Sequence, residues 1–245
     1  MDYKQKILFR IKKIIITKIN LTNVDILNAN YFVLKEIKKY LIFNYKQLGS
    51  SVLDFGCGDS PYYEYLKSIN YTGVDLKLNH QKKNLIKIEI NKPLPFKDSK
   101  FDSIISTQVI YQVRELDKLI IDFHRVLKTN GVILVTVPFM WFEIYENSQI
   151  NRRFSKNELE EVFKKGGFKL VNFKPLNVGL EGLCILFLKS LEKKLNAIKI
   201  RVLRVPLRML FNLIINLFLF FIHHSRILED NEIYLNSGFI FQKHN

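Results

Sequence analysis

A short strand followed at once by a glycine turn is the feature that most constrains how this chain folds. Residues 52–55 form a mostly apolar segment, and Gly56 and Gly58 follow it directly. Because glycine lacks a Cβ and adopts positive φ, the pair allows a sharp turn and the close approach of a ligand. The turn predicts a ligand-binding site, although a purely structural turn and a nicotinamide or flavin site remain alternatives.

Strand and helix patterns alternate on both sides of this turn. Alternation with short connections predicts an α/β fold with a doubly wound, mostly parallel seven-stranded sheet, N-terminal helices and a helical insertion before the last strand. Strands are predicted at 51–55, 71–76, 85–90, 101–106, 132–137, 168–173 and 234–242, and helices at 3–19, 31–45, 60–68, 116–127 and 155–165.

The patterns also predict how the chain is divided and where two helices begin. Residues 1–46 are N-terminal helices, 47–176 a ligand-binding core, 177–228 a helical insertion, and 229–245 the strand that completes the core.

Ser60 before Pro61 is typical of an N-cap and first helical position. Ser155 with Glu158 is typical of a capping box.

Two residues argue against a dinucleotide site. The third glycine of a G-x-G-x-x-G fingerprint falls at position 61, where this chain has Pro61. The geometry that binds a pyrophosphate is therefore not reproduced. Asp75, at the end of the second predicted strand, can still accept hydrogen bonds from ribose hydroxyls. A ribose without a pyrophosphate is consistent with S-adenosylmethionine.

Five segments in order resemble the class I S-adenosylmethionine-dependent methyltransferase family, in particular the subgroup of ubiquinone- and menaquinone-biosynthesis methyltransferases. They are VLDFGCG at 52–58, YTGVDL at 71–76, PLPFKDSKFD at 93–102, STQVI at 106–110 and RVLKTNG at 125–131. Each segment is modest alone, and the shared order across residues 51–138 provides the confirming context. The resemblance implies a Rossmann-like methyltransferase fold with S-adenosylmethionine as the cofactor.

The resemblance also implies the roles of individual residues. The positions implied to hold the cofactor are Gly56 and Gly58 against its methionine portion, Asp54 near its amino group, Asp75 on the ribose diol, Leu76 on the adenine, Glu89 near the adenine edge, and Ser106, Thr107 and Gln108 beside the methyl group. For Glu89, an exposed charge without a ligand is an equal alternative.

The sequence indicates the catalytic residues less clearly than the cofactor-binding residues. Methyl transfer from a sulfonium mainly needs alignment, and a general base only when the acceptor must lose a proton. Tyr111 and Glu146 are the candidates for catalysis, and Glu143 and Tyr145 also follow a strand end. Relatives often carry "EH" where this chain has Tyr111 and Gln112. This departure keeps a catalytically silent cofactor-binding protein open as an alternative.

Charge and cysteine content bear on partners. The net charge of +15 favours anionic partners, so an RNA methyltransferase is an alternative, although no RNA-binding module is recognised. Neither Cys57 nor Cys184 lies in a metal-binding spacing, so no metal site is predicted and a cytoplasmic location is expected.

Residues 209–222 are strongly apolar and follow a basic stretch at 191–208. At 14 residues the run is shorter than the roughly 20 that a membrane-spanning helix needs. It predicts a helix on an anionic membrane surface, a lid over the cofactor, or a dimer contact. On a membrane, a lipid- or glycan-linked acceptor would be natural; a soluble small-molecule acceptor is the alternative.

Overall fold

The computed structural model describes residues 27–28, 30–66, 70–78, 84–89, 92–141, 151–196, 201–225 and 230–244. The predicted basic helix at 3–19 lies outside the described residues. The helices are α1 (Tyr31–Phe43), α2 (Tyr63–Leu66), α3 (Leu116–Val126), α4 (Lys156–Lys165), α5 (Gly179–Asn196) and α6 (Arg201–Ser225). The strands are β1 (Ser51–Phe55), β2 (Asn70–Asp75), β3 (Leu85–Lys87), β4 (Phe101–Thr107), β5 (Leu127–Pro138), β6 (Phe168–Val178) and β7 (Tyr234–Lys243).

The seven strands form one sheet in the order β3-β2-β1-β4-β5-β7-β6. Neighbouring strands are parallel except at β7, which runs antiparallel to both β5 and β6. The order reverses between β1 and β4, and open α/β sheets bind ligands at the carboxyl ends of the strands at such a point. The predicted α/β fold with seven strands is confirmed.

The core lies on both faces of the sheet, as expected from the alternation of side chains along buried strands. Leu53 and Ile104 pack on one face, where α3 and α4 also contribute buried side chains. Val52 and Ile105 pack on the other face, which is covered by α1 with residues of α5 and α6. Both faces of the sheet are therefore covered by apolar cores. A ligand-binding site is then expected at the ends of the strands.

Of the two predicted helix starts, one is confirmed and one is wrong. The Ser155 hydroxyl accepts a hydrogen bond from the Glu158 backbone N–H at 3.3 Å, as an N-cap does. Ser60, by contrast, has a φ of 55°, and its N–H donates to the carbonyl of Cys57. Ser60 closes a turn, so the helix begins only at Tyr63.

The predicted insertion consists of two helices, α5 and α6, and the second is longer than the apolar run suggests. Helix α6 has 25 residues, because the basic residues that precede position 209 continue the helix. Arg204–Ser225, which contains an 18-residue window with a mean hydropathy of 2.0, is the one helix among the described residues long and apolar enough to cross a membrane. Length and composition alone are weak grounds for a membrane span.

Arg125 on α3 holds the segment that precedes β4. Its guanidinium donates to the carbonyls of Phe96 at 2.6 Å and Leu94 at 3.0 Å, and to the carboxylate of Asp98 at 2.9 Å. Asp122, one turn earlier, accepts from the Arg125 Nε at 2.7 Å and from the Leu94 N–H. One side chain therefore satisfies two carbonyls that no strand pairs.

We expect Arg125→Lys to lower the free energy of unfolding by about 1–3 kcal/mol, because an ammonium cannot span these acceptors and leaves the Phe96 carbonyl without its donor. Denaturant unfolding of both proteins measures the difference. Lys164→Gln is the control, since it removes an exposed ion pair with Glu161 that is worth at most about 1 kcal/mol. Equal stability of the two variants would contradict the assignment.

Candidate active site

The turn after β1 is fixed to β2 and crowded against the segment that follows β4. The N–H groups of Gly56 and Cys57 both donate to the carbonyl of Val74, at 2.8 and 3.1 Å. Gly56 has a φ of 75°, and a Cβ there would lie 2.4 Å from a methyl group of Val109. A larger residue would therefore be strained and would also push the post-β4 segment away.

Gly58 serves a different purpose from Gly56. Its φ is 51°, and a Cβ at this position would meet nothing within 4 Å, so space adjoins the backbone. Its N–H donates at 2.8 Å to one oxygen of Asp75, whose other oxygen accepts from the Lys77 N–H at 3.0 Å. The Asp75 carboxylate is thus held at the carboxyl edge of β2 by two backbone groups.

A large cavity opens at this edge. Its volume is about 950 Å³, near the upper end of the range for small-molecule sites. Four of the predicted cofactor residues line it, namely Gly56, Asp75, Leu76 and Glu89. The Glu89 side chain is mostly exposed and pairs with Lys92 at 2.7 Å.

Asp54 lies beneath the turn and is almost fully buried. Its carboxyl accepts a hydrogen bond of 2.6 Å from the Tyr71 hydroxyl. Burial raises the pKa of Asp54 to about 7; the Tyr71 hydrogen bond opposes this shift, and the nearby charge of Asp75 adds to it. Among the described contacts, the Asp54 carboxyl is therefore hydrogen-bonded to the protein itself, through Tyr71.

The three residues predicted to lie beside the methyl group are placed differently from one another. Ser106 is fully buried, and its hydroxyl donates to the carbonyl of Phe55 at 3.2 Å, joining β4 to β1. Thr107 is hydrogen-bonded to Tyr62, whose pKa burial raises to about 12. Gln108 has a φ of 58° and donates its N–H to the carbonyl of Thr136.

A second cavity, of about 120 Å³, lies at the carboxyl ends of β4 and β5. Gln108 and Tyr111 line this small cavity, whereas Val109 and Gln112 line the large one. The short segment after β4 therefore forms a wall between the two spaces. The other polar or aromatic residues around the small cavity are Asn30, Trp141, Arg153 and Asn236.

Tyr111 is the predicted catalytic residue that the structure places in a cavity. Its hydroxyl accepts a hydrogen bond from the Gln112 side chain at 2.7 Å, which fixes its orientation. The Arg153 guanidinium lies 5.8 Å from the centre of the Tyr111 ring. The second candidate, Glu146, lies outside the described residues, as do Glu143 and Tyr145.

Sequence reasoning did not identify Asn30, Trp141 and Asn236 as site residues. Asn236 belongs to β7, far along the chain from Gln108, so no local pattern could have linked the two. Within the described part of the chain, no group of three or more His, Cys, Asp or Glu side chains is placed to hold a metal ion.

Comparison with known proteins gives a family match over most of the core. The model of the family described as "Methyltransferase domain" matches residues 28–172. An uncharacterized protein of Methanocaldococcus jannaschii is 32% identical over 130 residues, which is 49% of this chain and 55% of that protein. The chain spans about half the length of the curated relatives that it matches.

Solved structures share the fold. The [4+2]-cyclase SpnF has a TM-score of 0.54 at 15% identity, over 84% of this chain and 81% of the cyclase. Phosphoethanolamine N-methyltransferase 2 of Haemonchus contortus, in complex with phosphomonomethylethanolamine and S-adenosylhomocysteine, has a TM-score of 0.52 at 16% identity. That match covers 85% of this chain and 52% of the enzyme. At these identities the likeness shows the fold alone.

The raised pKa of Asp54 leads to a pH-dependent prediction. A carboxyl whose pKa rises from 3.8 to about 7 on folding stabilises the protein below pH 3.8 and loses that contribution as pH rises through 7. Asp54→Asn cannot ionise and keeps an oxygen that accepts from Tyr71. We expect its stability relative to the wild type to rise between these pH values, by about 1 kcal/mol per pH unit, and then level off.

Denaturant unfolding at several pH values between 4 and 8 measures this difference. Asp230→Asn is the control, because Asp230 is exposed and its substitution should leave the wild-type pH dependence nearly unchanged. Parallel pH profiles for Asp54→Asn and the wild type would show that Asp54 does not titrate as proposed.

Proposed function

The chain belongs to the methyltransferase-domain family, and we propose that it transfers a methyl group from S-adenosylmethionine to a small-molecule or lipid- or glycan-linked acceptor. The observation that carries the proposal is the pair of cavities on either side of the post-β4 segment, at the point where the strand order reverses. Membership of the ubiquinone- and menaquinone-type subgroup stays a prediction.

The residues around the large cavity fit S-adenosylmethionine. Gly58, whose N–H is bonded to the cavity-lining Asp75, has open space where a side chain would stand, so a ligand can approach its backbone closely. Asp75 presents an oriented carboxylate suited to a ribose diol, and Leu76 offers a partly exposed apolar side chain suited to the adenine. The Haemonchus contortus enzyme of the same fold is in complex with S-adenosylhomocysteine, which supports this choice of cofactor.

When bound, the cofactor supplies a methyl group on a sulfonium, which is already activated for displacement. The protein's contribution is then to align the methyl donor with the acceptor. This alignment can lower the activation barrier by several kcal/mol. Gly56 and Val109 fix the wall between the two cavities, and Gln108 and Tyr111 lie on its acceptor side. In this proposal Tyr111 orients the acceptor or takes its proton.

The small cavity guides the proposal for the acceptor. A volume of about 120 Å³ holds a small group, so a compact molecule or the reactive end of a larger lipid or glycan would fit. Gln108, Tyr111 and Arg153 offer donors for a polar or anionic group. An RNA acceptor is the alternative that the net charge of +15 favours.

We further propose a cytoplasmic location, with the protein associated with a membrane surface. Cys57 and Cys184 are both free thiols among the described residues, as suits a reducing compartment. Burial raises the pKa of Cys57 to about 12, so this thiol beside the cofactor turn stays protonated and unreactive.

The cofactor assignment predicts that the protein binds S-adenosylmethionine and that Asp75→Asn weakens binding by about 10- to 100-fold. Replacing a carboxylate removes charge-assisted hydrogen bonds, which are worth about 1.5–3 kcal/mol each. Isothermal calorimetry with the cofactor alone measures the change. Asp230→Asn, a matched substitution at an exposed site remote in sequence, should bind like the wild type.

Wild-type protein that binds no S-adenosylmethionine would overturn the proposed function. If Asp75→Asn binds S-adenosylmethionine as tightly as the wild type, the role of Asp75 is overturned. The roles proposed for the other site residues are not affected by that result. Circular dichroism and melting temperatures of each variant show whether a loss of binding reflects a loss of folding.

The acceptor assignment predicts that Tyr111→Phe binds the cofactor normally but transfers methyl groups at least about 10-fold more slowly, since general acid–base groups contribute about 10²–10⁴-fold. The protein is incubated with cell extract and isotope-labelled S-adenosylmethionine, and mass spectrometry follows the labelled product. Tyr45→Phe, at a tyrosine that lines neither cavity, is the matched control.

Three outcomes distinguish the alternatives. Label in a small molecule, lipid or glycan supports the proposal, and label in RNA favours the alternative acceptor. Cofactor binding without labelled product in any fraction would favour a catalytically silent protein. The fold is not restricted to methyl transfer, since the [4+2]-cyclase SpnF shares it.

A further inference from the structure

Helix α6 places polar side chains against the body of the protein and leaves large apolar side chains exposed on its outer side. A surface helix ordinarily turns its apolar stripe towards the core and its polar side towards water. In α6, Asn212, Asn216 and His223 lie on the inward side with Leu219, at helical spacings of four, three and four residues. The inward side thus carries these three polar residues among apolar ones, since Leu219 and Ile215 pack against the core there.

The inward polar residues are bound to the body of the protein. The side-chain amides of Asn212 and Asn216 donate to the carbonyls of Leu27 and Asn28, each at 3.0 Å. At the other end of the helix, His223 Nδ1 lies 2.6 Å from a carboxylate oxygen of Glu181 on α5. These contacts fix which side of α6 faces outward.

The outward side of α6 is a continuous apolar surface. Ile214 is 58% exposed, Phe218 is 53% exposed and Phe221 is 71% exposed, and each follows the previous one by one helical turn. Leu210 and Leu217 extend this surface on its flanks. Exposed apolar patches of this kind mark sites that bind a partner or a membrane.

The charge of the protein distinguishes between two partners that this apolar face could bind, a second copy of the chain and an anionic membrane. Helix α6 contains no acidic residue, and Arg204 and Arg208 occupy its first turns. A second copy of the chain would carry the same net charge of +15, and this disfavours the association of two copies. An anionic bilayer offers both the apolar interior and the negative headgroups that this face complements.

We propose that the outward face of α6 docks onto the surface of an anionic lipid bilayer, with the helix lying parallel to the membrane. The helix is long enough to cross a bilayer. Crossing, however, would expose Asn212, Asn216 and His223 to lipid or require the loss of their bonds to the body. This inference deepens the proposed membrane association and does not depend on methyl transfer.

Liposome flotation of the full chain tests the proposal. Wild-type protein should float with phosphatidylcholine vesicles that contain phosphatidylglycerol, and much less with phosphatidylcholine alone. Phe218→Glu places a charge in the centre of the face and should weaken binding by about 10-fold or more. Arg208→Glu should weaken binding to the anionic vesicles alone.

Val171→Glu provides the matched control, because Val171 is 54% exposed on β6 and lies off the helix. It should float like the wild type. Circular dichroism and S-adenosylmethionine calorimetry on each variant verify folding without reference to the membrane. Failure to bind S-adenosylmethionine would therefore leave the flotation test valid. Failure to float would likewise leave the test of cofactor binding valid.

Three results would overturn the proposal. The first is wild-type protein that fails to float with anionic vesicles. The second is a complex that resists extraction at alkaline pH, which would indicate a helix that spans the bilayer. The third is a dimer, seen in analytical ultracentrifugation and abolished by Phe218→Glu, from a protein that does not bind vesicles.

Discussion

The contact between Gly56 and Val109 is the constraint on which the rest of the site depends. Because Gly56 has no Cβ, the segment after β4 packs directly on the turn after β1, where the strand order reverses. Val109 then faces the large cavity, and its neighbours Gln108 and Tyr111 face the small one. A single close approach of backbone thus creates two separate spaces that share a thin wall.

Two aspartates, in the segments 52–58 and 93–102, show how their surroundings give one residue type different roles. Asp102, the second residue of β4, accepts from Lys128 at 2.7 Å and from the Ser51 N–H at 2.9 Å, contacts that lower its pKa. Asp54 lies near the opposite end of the paired strands, where burial raises its pKa. Asp102 therefore ties strand starts together as a stable carboxylate, whereas Asp54 is poised to change charge near neutral pH.

Local patterns predicted the cofactor side of the molecule better than the acceptor side. Strand β1 has the bounds 51–55 that its apolar run predicts, and the glycine turn follows it. Strand β6 was expected to end at Phe173 but continues to Val178, because it pairs with β7, a partner far along the chain. The N-cap at Ser60 was wrong because Ser60 has a positive φ in a turn with Cys57, and the helix begins only at Tyr63. The small cavity combines α1, β5 and β7, which no short motif connects.

Helix α6 shows why amino-acid composition alone could not predict which side of the helical insertion faces outward. In the sequence, Asn212 and Asn216 interrupt an apolar run, whereas in the structure they attach the helix and turn its apolar residues outward. No described residue of α6 lines either cavity of the active site. Val33 of α1, however, lies both against α6 and in the wall of the small cavity. A membrane bound to the outward face of α6 would therefore be separated from the proposed acceptor site by α6 and α1.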